Sequence, residues 1–283
     1  MSGEQQVQAL RAFSFRLPLT VYGSPPPLMR FASLGSGSSG NALLIESDDT
    51  LILLDCGFGL TEVTARLARA GVAPDDLDAI IVTHEHEDHG GGVAKLASAF
   101  GIAVYLTRGT LSGLGADGRS IPRTVLIDPY TTFAVNGVEV RPFPVPHDAR
   151  EPVQFMVSDG AARLGVLTDT GQPTPHIAQV LSGVHALVLE CNHDLDMLMN
   201  GPYPARLKSR IAGRLGHLAN TAAAELVQAM DCSRLQHVLA AHLSRTNNTP
   251  ELARAALAGE LGCETDWIGV ATQDEGFSWR QIL

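Results

Sequence analysis

Thr83-His84-Glu85-His86-Glu87-Asp88-His89-Gly90 decides the reading of this chain. The stretch follows directly on the apolar run Ala79-Ile80-Ile81-Val82 and passes through Gly90-Gly91-Gly92 into a predicted helix, so His84, His86, Asp88 and His89 all leave the end of one strand. Alternate side chains of an extended segment share a face, which lets His84 and His86 reach one ion. The turn into the helix swings Asp88 and His89 toward a second. Imidazole and carboxylate are donors that zinc, manganese and iron all accept. The competing reading is a solvated charged loop. It is the weaker one, because clustered imidazoles beside carboxylates leave costly unsatisfied polar groups unless a cation joins them. The zinc-protease pattern HExxH is absent, since position 88 is Asp, and no PCxxC follows as a zinc deaminase requires.

Outward from that stretch, short β-type runs alternate with helical ones. Residues 41–47, 50–55, 79–83, 103–107, 124–128, 131–135, 138–145, 152–158, 162–168, 186–190 and 237–242 read as strands. Helices are predicted over 61–70, 91–100, 204–215, 221–230 and 250–261, the last with Thr249 as N-cap and Pro250 at its first position. So many strands, several in hairpins, do not form a uniform βα repeat, which argues against a TIM barrel or a simple doubly wound sheet. The class is mixed α/β with two packed sheets. Gly35-Ser36-Gly37-Ser38-Ser39-Gly40 matches GxGxxG, but a strand follows it rather than the helix on which a pyrophosphate would sit, so it reads as a glycine-rich turn.

Composition sets outer bounds. The chain has 283 residues, 45% hydrophobic and 18% charged, with 28 glycines and 16 prolines, an ordinary globular make-up rich in turns. Apolar runs such as Leu51-Ile52-Leu53-Leu54 are too short to span a bilayer, so a soluble protein is expected. Residues 1–28 lack a signal-peptide core and end in Pro25-Pro26-Pro27, and read as an extension preceding one domain over 29–283. Cys56, Cys191, Cys232 and Cys263 are widely spaced in mostly apolar surroundings, which suits free thiols and a cytoplasmic setting. A net charge of -10 argues against a protein that coats nucleic acid with a basic surface, though a catalytic groove needs only a local positive strip.

The run His84-x-His86-x-Asp88-His89 resembles the hallmark HxHxDH of the metallo-β-lactamase superfamily, and the resemblance extends over about residues 29–245. It implies a four-layer αββα sandwich with two divalent metal ions at one edge of the sheets, zinc first, manganese or iron as alternatives. Asp55, in Leu54-Asp55-Cys56-Gly57, matches an Asp that supports the site from behind. His147 matches the third ligand of the first ion, Asp169 the carboxylate bridging both ions, and His242 the last ligand. Each lies at the end of a predicted strand, where side chains converge on one edge.

The second half narrows the family. Leu189-Glu190-Cys191-Asn192-His193-Asp194, Gly216-His217-Leu218-Ala219-Asn220 and His242-Leu243-Ser244-Arg245-Thr246-Asn247-Asn248 resemble the YycJ-type bacterial nucleases and, more distantly, ribonuclease Z. The glycine-rich turn with Asn41 fits that type and is expected to border the site. Ala219 stands where the group usually shows Ser, which removes a hydroxyl from that position. The ribonuclease Z likeness makes His217 a catalytic histidine beside the scissile phosphate; a partly buried helix-start residue is the alternative.

Arg206, Arg210 and Arg214 recur every four residues, with Lys208 nearby, on the helix predicted before His217, giving one cationic face suited to a phosphodiester chain. Arg245 beside His242 adds to it. The expected activity is therefore an exonuclease-like, metal-dependent phosphodiesterase acting on nucleic acid. A hydroxide shared by two ions attacks, with Asp88 and His217 as catalytic residues. Hydrolysis of a small phosphodiester, lactone or thioester is the alternative on the same fold, and a non-enzymatic metal-binding scaffold the alternative outside it.

Overall fold

The computed structural model describes residues 29–283, so the expected extension over 1–28 lies outside the described residues. Two seven-stranded sheets stack face to face. The first takes its strands from β1 (Arg30–Gly35), β2 (Ala42–Ser47), β3 (Thr50–Leu54), β4 (Ala79–Ile81), β5 (Ala103–Leu106) and β6 (Thr124–Leu126). The second is built from β7 (Phe133–Val135), β8 (Val138–Pro144), β9 (Val153–Ser158), β10 (Arg163–Leu167), β11 (Ala186–Glu190), β12 (His237–Ala241) and β13 (Gly269–Val270). The last strand, β14 (Phe277–Gln281), returns to the first sheet and pairs antiparallel with β1.

Helices cover both outer faces. On the first sheet lie α1 (Leu60–Arg69), the one-turn α2 (Glu87–Gly90) and α3 (Val93–Phe100), followed by α4 (Arg108–Gly113) and α5 (Gly115–Ser120). On the second lie α6 (Pro175–Leu181), α7 (Leu195–Asn200), α8 (Ala205–Ile211), α9 (Asn220–Gln228) and α10 (Pro250–Leu261). None of these is long and apolar enough to cross a membrane.

The apolar run of β3 shows why the layers form. Ile52 and Leu54 point between the sheets, where Phe31, Ile81, Phe155, Leu164, Val166 and Leu239 meet them. Leu51 and Leu53 point the other way, onto Val63 and Leu67 of α1 and Val93 and Leu96 of α3. The second sheet does the same, with Leu187 and Val238 facing Ile177, Leu226 and Leu257 of its helices. Strands buried on both faces read as continuous hydrophobic stretches rather than alternating ones, because helices cover what solvent would otherwise touch.

Three features differ from expectation. β1, β13 and β14 carry no apolar run long enough to announce a strand; β14 reads Phe277-Ser278-Trp279-Arg280-Gln281 and is only half buried. The helix expected over 204–215 stops at Ile211, and Arg214 lies in the turn beyond it, so Arg206 and Arg210 share a helical face and Arg214 does not. Asn220, which the sequence suggests as N-cap of the helix predicted over 221–230, instead opens α9 as its first residue, with Ala219 in the capping position.

Candidate metal centre

The strands β3, β4, β8, β10, β11 and β12 all point their C-terminal ends toward one edge of the sandwich, and the residues immediately after them gather there. Three of these strand-end residues, Asp55, Asp169 and His242, adopt left-handed backbone conformations with φ of 61°, 52° and 54°. Such a conformation costs of order 1–3 kcal/mol for a residue other than glycine and persists only where the surroundings enforce it. Here it turns each side chain inward off the end of its strand.

The inner imidazoles form two groups around Asp169. His84 Nε2 lies 3.0 Å from His86 Nδ1, and His147 Nε2 lies 3.2 Å from the same atom. On the other side, His242 Nε2 is 3.3 Å from Asp88 Oδ2, and His89 Nε2 is 3.7 Å from it. Asp169 stands between: Oδ2 contacts His89 Nε2 and lies 4.0 Å from His84 Nε2, while Oδ1 lies 3.1 Å from His242 Nδ1. All seven expected ligand side chains are thus brought together, and the groups His84–His86–His147 and Asp88–His89–His242 each offer donor atoms close enough to hold one ion.

The outer nitrogens of these rings are fixed by the scaffold. His89 Nδ1 donates to Asp55 Oδ2 at 2.7 Å, and Asp55 is held by the Thr83 amide and hydroxyl, each at 2.8 Å. His147 Nδ1 donates to the Gly216 carbonyl at 3.0 Å, which leaves Nε2 to face the cluster. Partners of this kind set the tautomer and aim of a ligating imidazole. Close backbone approach completes the frame. A Cβ on Gly57 would fall 2.0 Å from the Asp88 carbonyl, and one on Gly92 1.9 Å from that of Phe58, so the turn after β3 and the ligand loop fit only without side chains.

His217 occupies the free side of Asp169. Its Nδ1 lies 2.8 Å from Asp169 Oδ1 and 2.8 Å from Glu190 Oε1, and its side chain is 24% exposed. Glu190 is the functional residue that sequence reading missed. It is fully buried, accepts the Thr170 amide at 2.8 Å, and lies 3.4 Å from His242 Nδ1. The signal was present in Ala186-Leu187-Val188-Leu189-Glu190, an apolar strand ending in a carboxylate, since a buried charge needs a partner.

The electrostatics follow from this crowding. Burial disfavours the Asp169 carboxylate, yet the imidazoles of His242 and His89 outweigh it and hold its pKa well below the ordinary value. Burial opposes charge on His217 too, but the adjacent carboxylates of Asp169 and Glu190 carry its pKa up to about 11; burial is likewise overcome at His242, which reaches about 9 beside Asp169 and Asp88. His84 goes the other way, well below its ordinary value, through burial and the neighbouring His89. Both Asp169 oxygens are buried without a hydrogen bond of good geometry. A buried carboxylate faced by imidazole nitrogens on several sides is an arrangement that divalent cations complete, and the donor set suits zinc, manganese or iron.

The expected substrate contacts are placed differently. Asn41 is buried and its amide is spent: Oδ1 accepts from Ser36 Oγ at 3.1 Å and Gly37 N at 2.9 Å, and Nδ2 donates to the carbonyls of Gly37 and Asp88. It is a brace rather than a substrate contact, because Ser36 Oγ in turn accepts the His242 amide at 2.9 Å, tying the glycine-rich turn to the site. Arg245 pairs with Asp274 at 2.6 Å instead of facing His242. Arg210 reaches the edge of the cluster, where Asp148 Oδ2 accepts from its Nε at 2.7 Å and Asp148 Oδ1 lies 3.5 Å from His147 Nε2. Arg214 Nε donates to Gln172 Oε1 at 3.3 Å, and Arg206 is exposed on α8.

Comparison with known proteins agrees with this fold. The family described as "Beta-lactamase superfamily domain" matches residues 50–242, and the chain belongs to the metallo-β-lactamase superfamily as a metal-dependent hydrolase. Within it, the chain is 34% identical over 239 residues to the exodeoxyribonuclease YycJ of Bacillus anthracis, covering 82% of this chain and 89% of that protein. Among solved structures, the metallo-β-lactamase fold protein YhfI from Bacillus subtilis superposes with a TM-score of 0.70 at 16% identity, over 90% of this chain and 99% of that one. Zinc-bound PqqB from Methylobacterium extorquens gives 0.68 at 16% identity, over 89% and 99%.

Proposed function

We propose that this chain is a dinuclear-metal exodeoxyribonuclease, acting on DNA ends in a cytoplasmic setting. One observation carries the reading: two groups of donor atoms, His84–His86–His147 and Asp88–His89–His242, flank Asp169, and a carboxylate-backed histidine, His217, stands beside that residue. The name of the YycJ relative, similar over most of both chains, points to DNA as the substrate. The zinc-bound PqqB of the same fold and the donor chemistry here favour zinc, with manganese or iron as alternatives. Four free cysteines, two of them buried, suit a reducing compartment.

His84, His86 and His147 would hold one ion and Asp88, His89 and His242 the other, with Asp169 between the two groups. When bound, the two ions acidify water and offset the negative charge that builds on the phosphate. The chain's own residues do the rest. Asp88, whose side chain is 24% exposed, accepts a hydrogen bond from the attacking water and aims it in line with the scissile bond. Glu190 and Asp169 hold His217 through Nδ1 and keep the ring charged, leaving its other nitrogen to deliver a proton to the departing oxygen as the phosphorus–oxygen bond breaks.

End-labelled DNA and RNA, single- and double-stranded, offered beside a small phosphodiester, test the reading. Stepwise shortening of DNA is expected, and His217→Ala should lower kcat by about 10²–10⁴-fold, the usual span of acid–base assistance. Turnover of the small ester with every nucleic acid left intact would overturn the assignment.

A further inference from the structure

The cations picked out in the sequence lie mostly on one lip of the site, and most are tied to protein partners. The opposite lip carries arginines that are not. It is formed by α4 and α5, between β5 and β6, and it abuts the ligand loop directly. Glu151 Oε2 accepts the Gly109 amide at 2.6 Å, and the Glu151 carbonyl accepts from Thr107 Oγ1 at 3.0 Å, so α4 is fastened to the segment that follows His147. A Cβ on Gly113 would lie 2.4 Å from Cγ of Glu85, the residue between His84 and His86, and one on Gly90 would lie 2.7 Å from a Leu114 methyl.

From the start of α4 an open cavity of about 430 Å³ leads away from this lip toward the N-terminal end of β6, lined by Arg108, Leu111, Ser112, Arg119, Ile121 and Thr124 among others. Arg108 and Arg119 are exposed, and among the described residues neither has a carboxylate within ion-pairing distance, so both guanidinium groups of this one cavity are open to an outside ligand. Asp117, on the same short helix as Arg119, pairs with neither. Arg150, exposed between His147 and this lip, is likewise without an ion pair among the described residues, while its backbone amide is held by Glu85 Oε1 at 2.8 Å. A chain of net charge -10 has acidic groups in excess, so Arg108, at the start of α4 next to the ligand loop, and Arg119, farther along the same cavity toward the N-terminal end of β6, are available to an outside anion. Two guanidinium forks suit phosphate oxygens, hydroxyls such as Ser112 and Thr124 add hydrogen bonds, and the half-buried Leu111 suits the face of a sugar or base.

We propose that the α4–α5 cavity is a second nucleic-acid site, gripping backbone phosphates several nucleotides from the scissile one through Arg108 and Arg119. It rests on the nuclease reading and extends it: the DNA strand crosses the metal edge from the α8 lip to the α4–α5 lip.

Single-stranded oligonucleotides of about four and about twenty nucleotides, hydrolysed by the wild type and by Arg108→Ala/Arg119→Ala, decide the matter. The expected result is a KM raised about tenfold on the long substrate only, with kcat unchanged. The plot of log(kcat/KM) against log salt should also become shallower by about 1.4, because two phosphates of the single strand are no longer neutralised by the protein. Arg163→Ala/Arg234→Ala, which removes the same charge from exposed positions at the N-terminal ends of β10 and β12, away from the metal edge, should leave both substrates unaffected. A double variant that matches wild type on the long substrate, or that weakens both lengths equally, overturns the second site while leaving the nuclease reading intact. A wild type that splits a small ester and no DNA overturns both.

Discussion

Glu190 illustrates what a single residue does in this centre. Its carboxylate is shared between His217 and His242, so it charges the former and steers the latter. Glu190→Gln keeps the shape and removes the charge; kcat should fall by about 10²-fold, a typical loss when an acid–base group loses its support, with KM nearly unchanged in steady-state assays. Equal kcat in the variant would show that His217 needs no carboxylate. The raised pKa values of His89 and His242, two of the proposed ligands, give a second expectation. Groups with raised pKa are protonated below it, and a ligating imidazole must be neutral. Adding zinc to chelator-stripped protein at about pH 7 should therefore release protons, as metal binding at protonated ligands does. The release should shrink as pH passes the His242 value of about 9. An indicator dye in weak buffer reads it, and no release at neutral pH would contradict the charge pattern. The proposed ligands are legible in the sequence because strand ends and short spacing announce them. For Glu190 the apolar strand announces a buried carboxylate but not its partners, because its role arises only when β10, β11 and β12 lie side by side. Asn41 misleads for a related reason: adjacency to a glycine turn says nothing about whether the amide faces substrate or protein.

At the scale of elements, the break after α8 is what delivers His217. Spacing of the arginines at every fourth residue favours one helix to 215, yet Gly213 and Gly216 let the chain fold back, with the His217 amide donating to the Ile211 carbonyl at 2.8 Å. A Cβ on Gly216 would sit 2.2 Å from the carbonyls of both Arg210 and Ile211. Gly216→Ala should therefore cost about 1–3 kcal/mol of stability, as overpacking does, and lower kcat together with the melting temperature. An unchanged melting curve would mean that the turn has slack which these distances do not show. Where local chemistry agrees with packing, the sequence is a good guide. Thr249 Oγ1 accepts the Leu252 amide at 3.3 Å at the start of α10, as the Thr-Pro pair predicts. Thr249→Ala should lower stability by about 1 kcal/mol in a denaturant melt without affecting hydrolysis, and loss of activity at full stability would contradict a purely capping role.

The molecule as a whole is a sandwich whose one polar edge is supported by three apolar layers. Continuous runs such as those of β3 and β4 make two buried sheets legible, since both faces have to be covered. The closing strands are not legible: β14 pairs with β1 from the far end of the chain, and no local pattern in Phe277–Gln281 names that partner. Net charge is a poor guide for the same reason, because -10 is an average over a surface on which, among the described residues, Arg108 and Arg119 have no ion-pair partner. The proposed function requires seven side chains, brought together at four strand ends, to hold two ions that cut DNA jointly. Its most direct test is the rate of nucleotide release from end-labelled DNA as zinc or manganese is returned to stripped protein. The rate should climb to a plateau at about two equivalents per chain, the demand of a two-metal centre. A plateau at one equivalent, or full activity in the stripped protein, would contradict it.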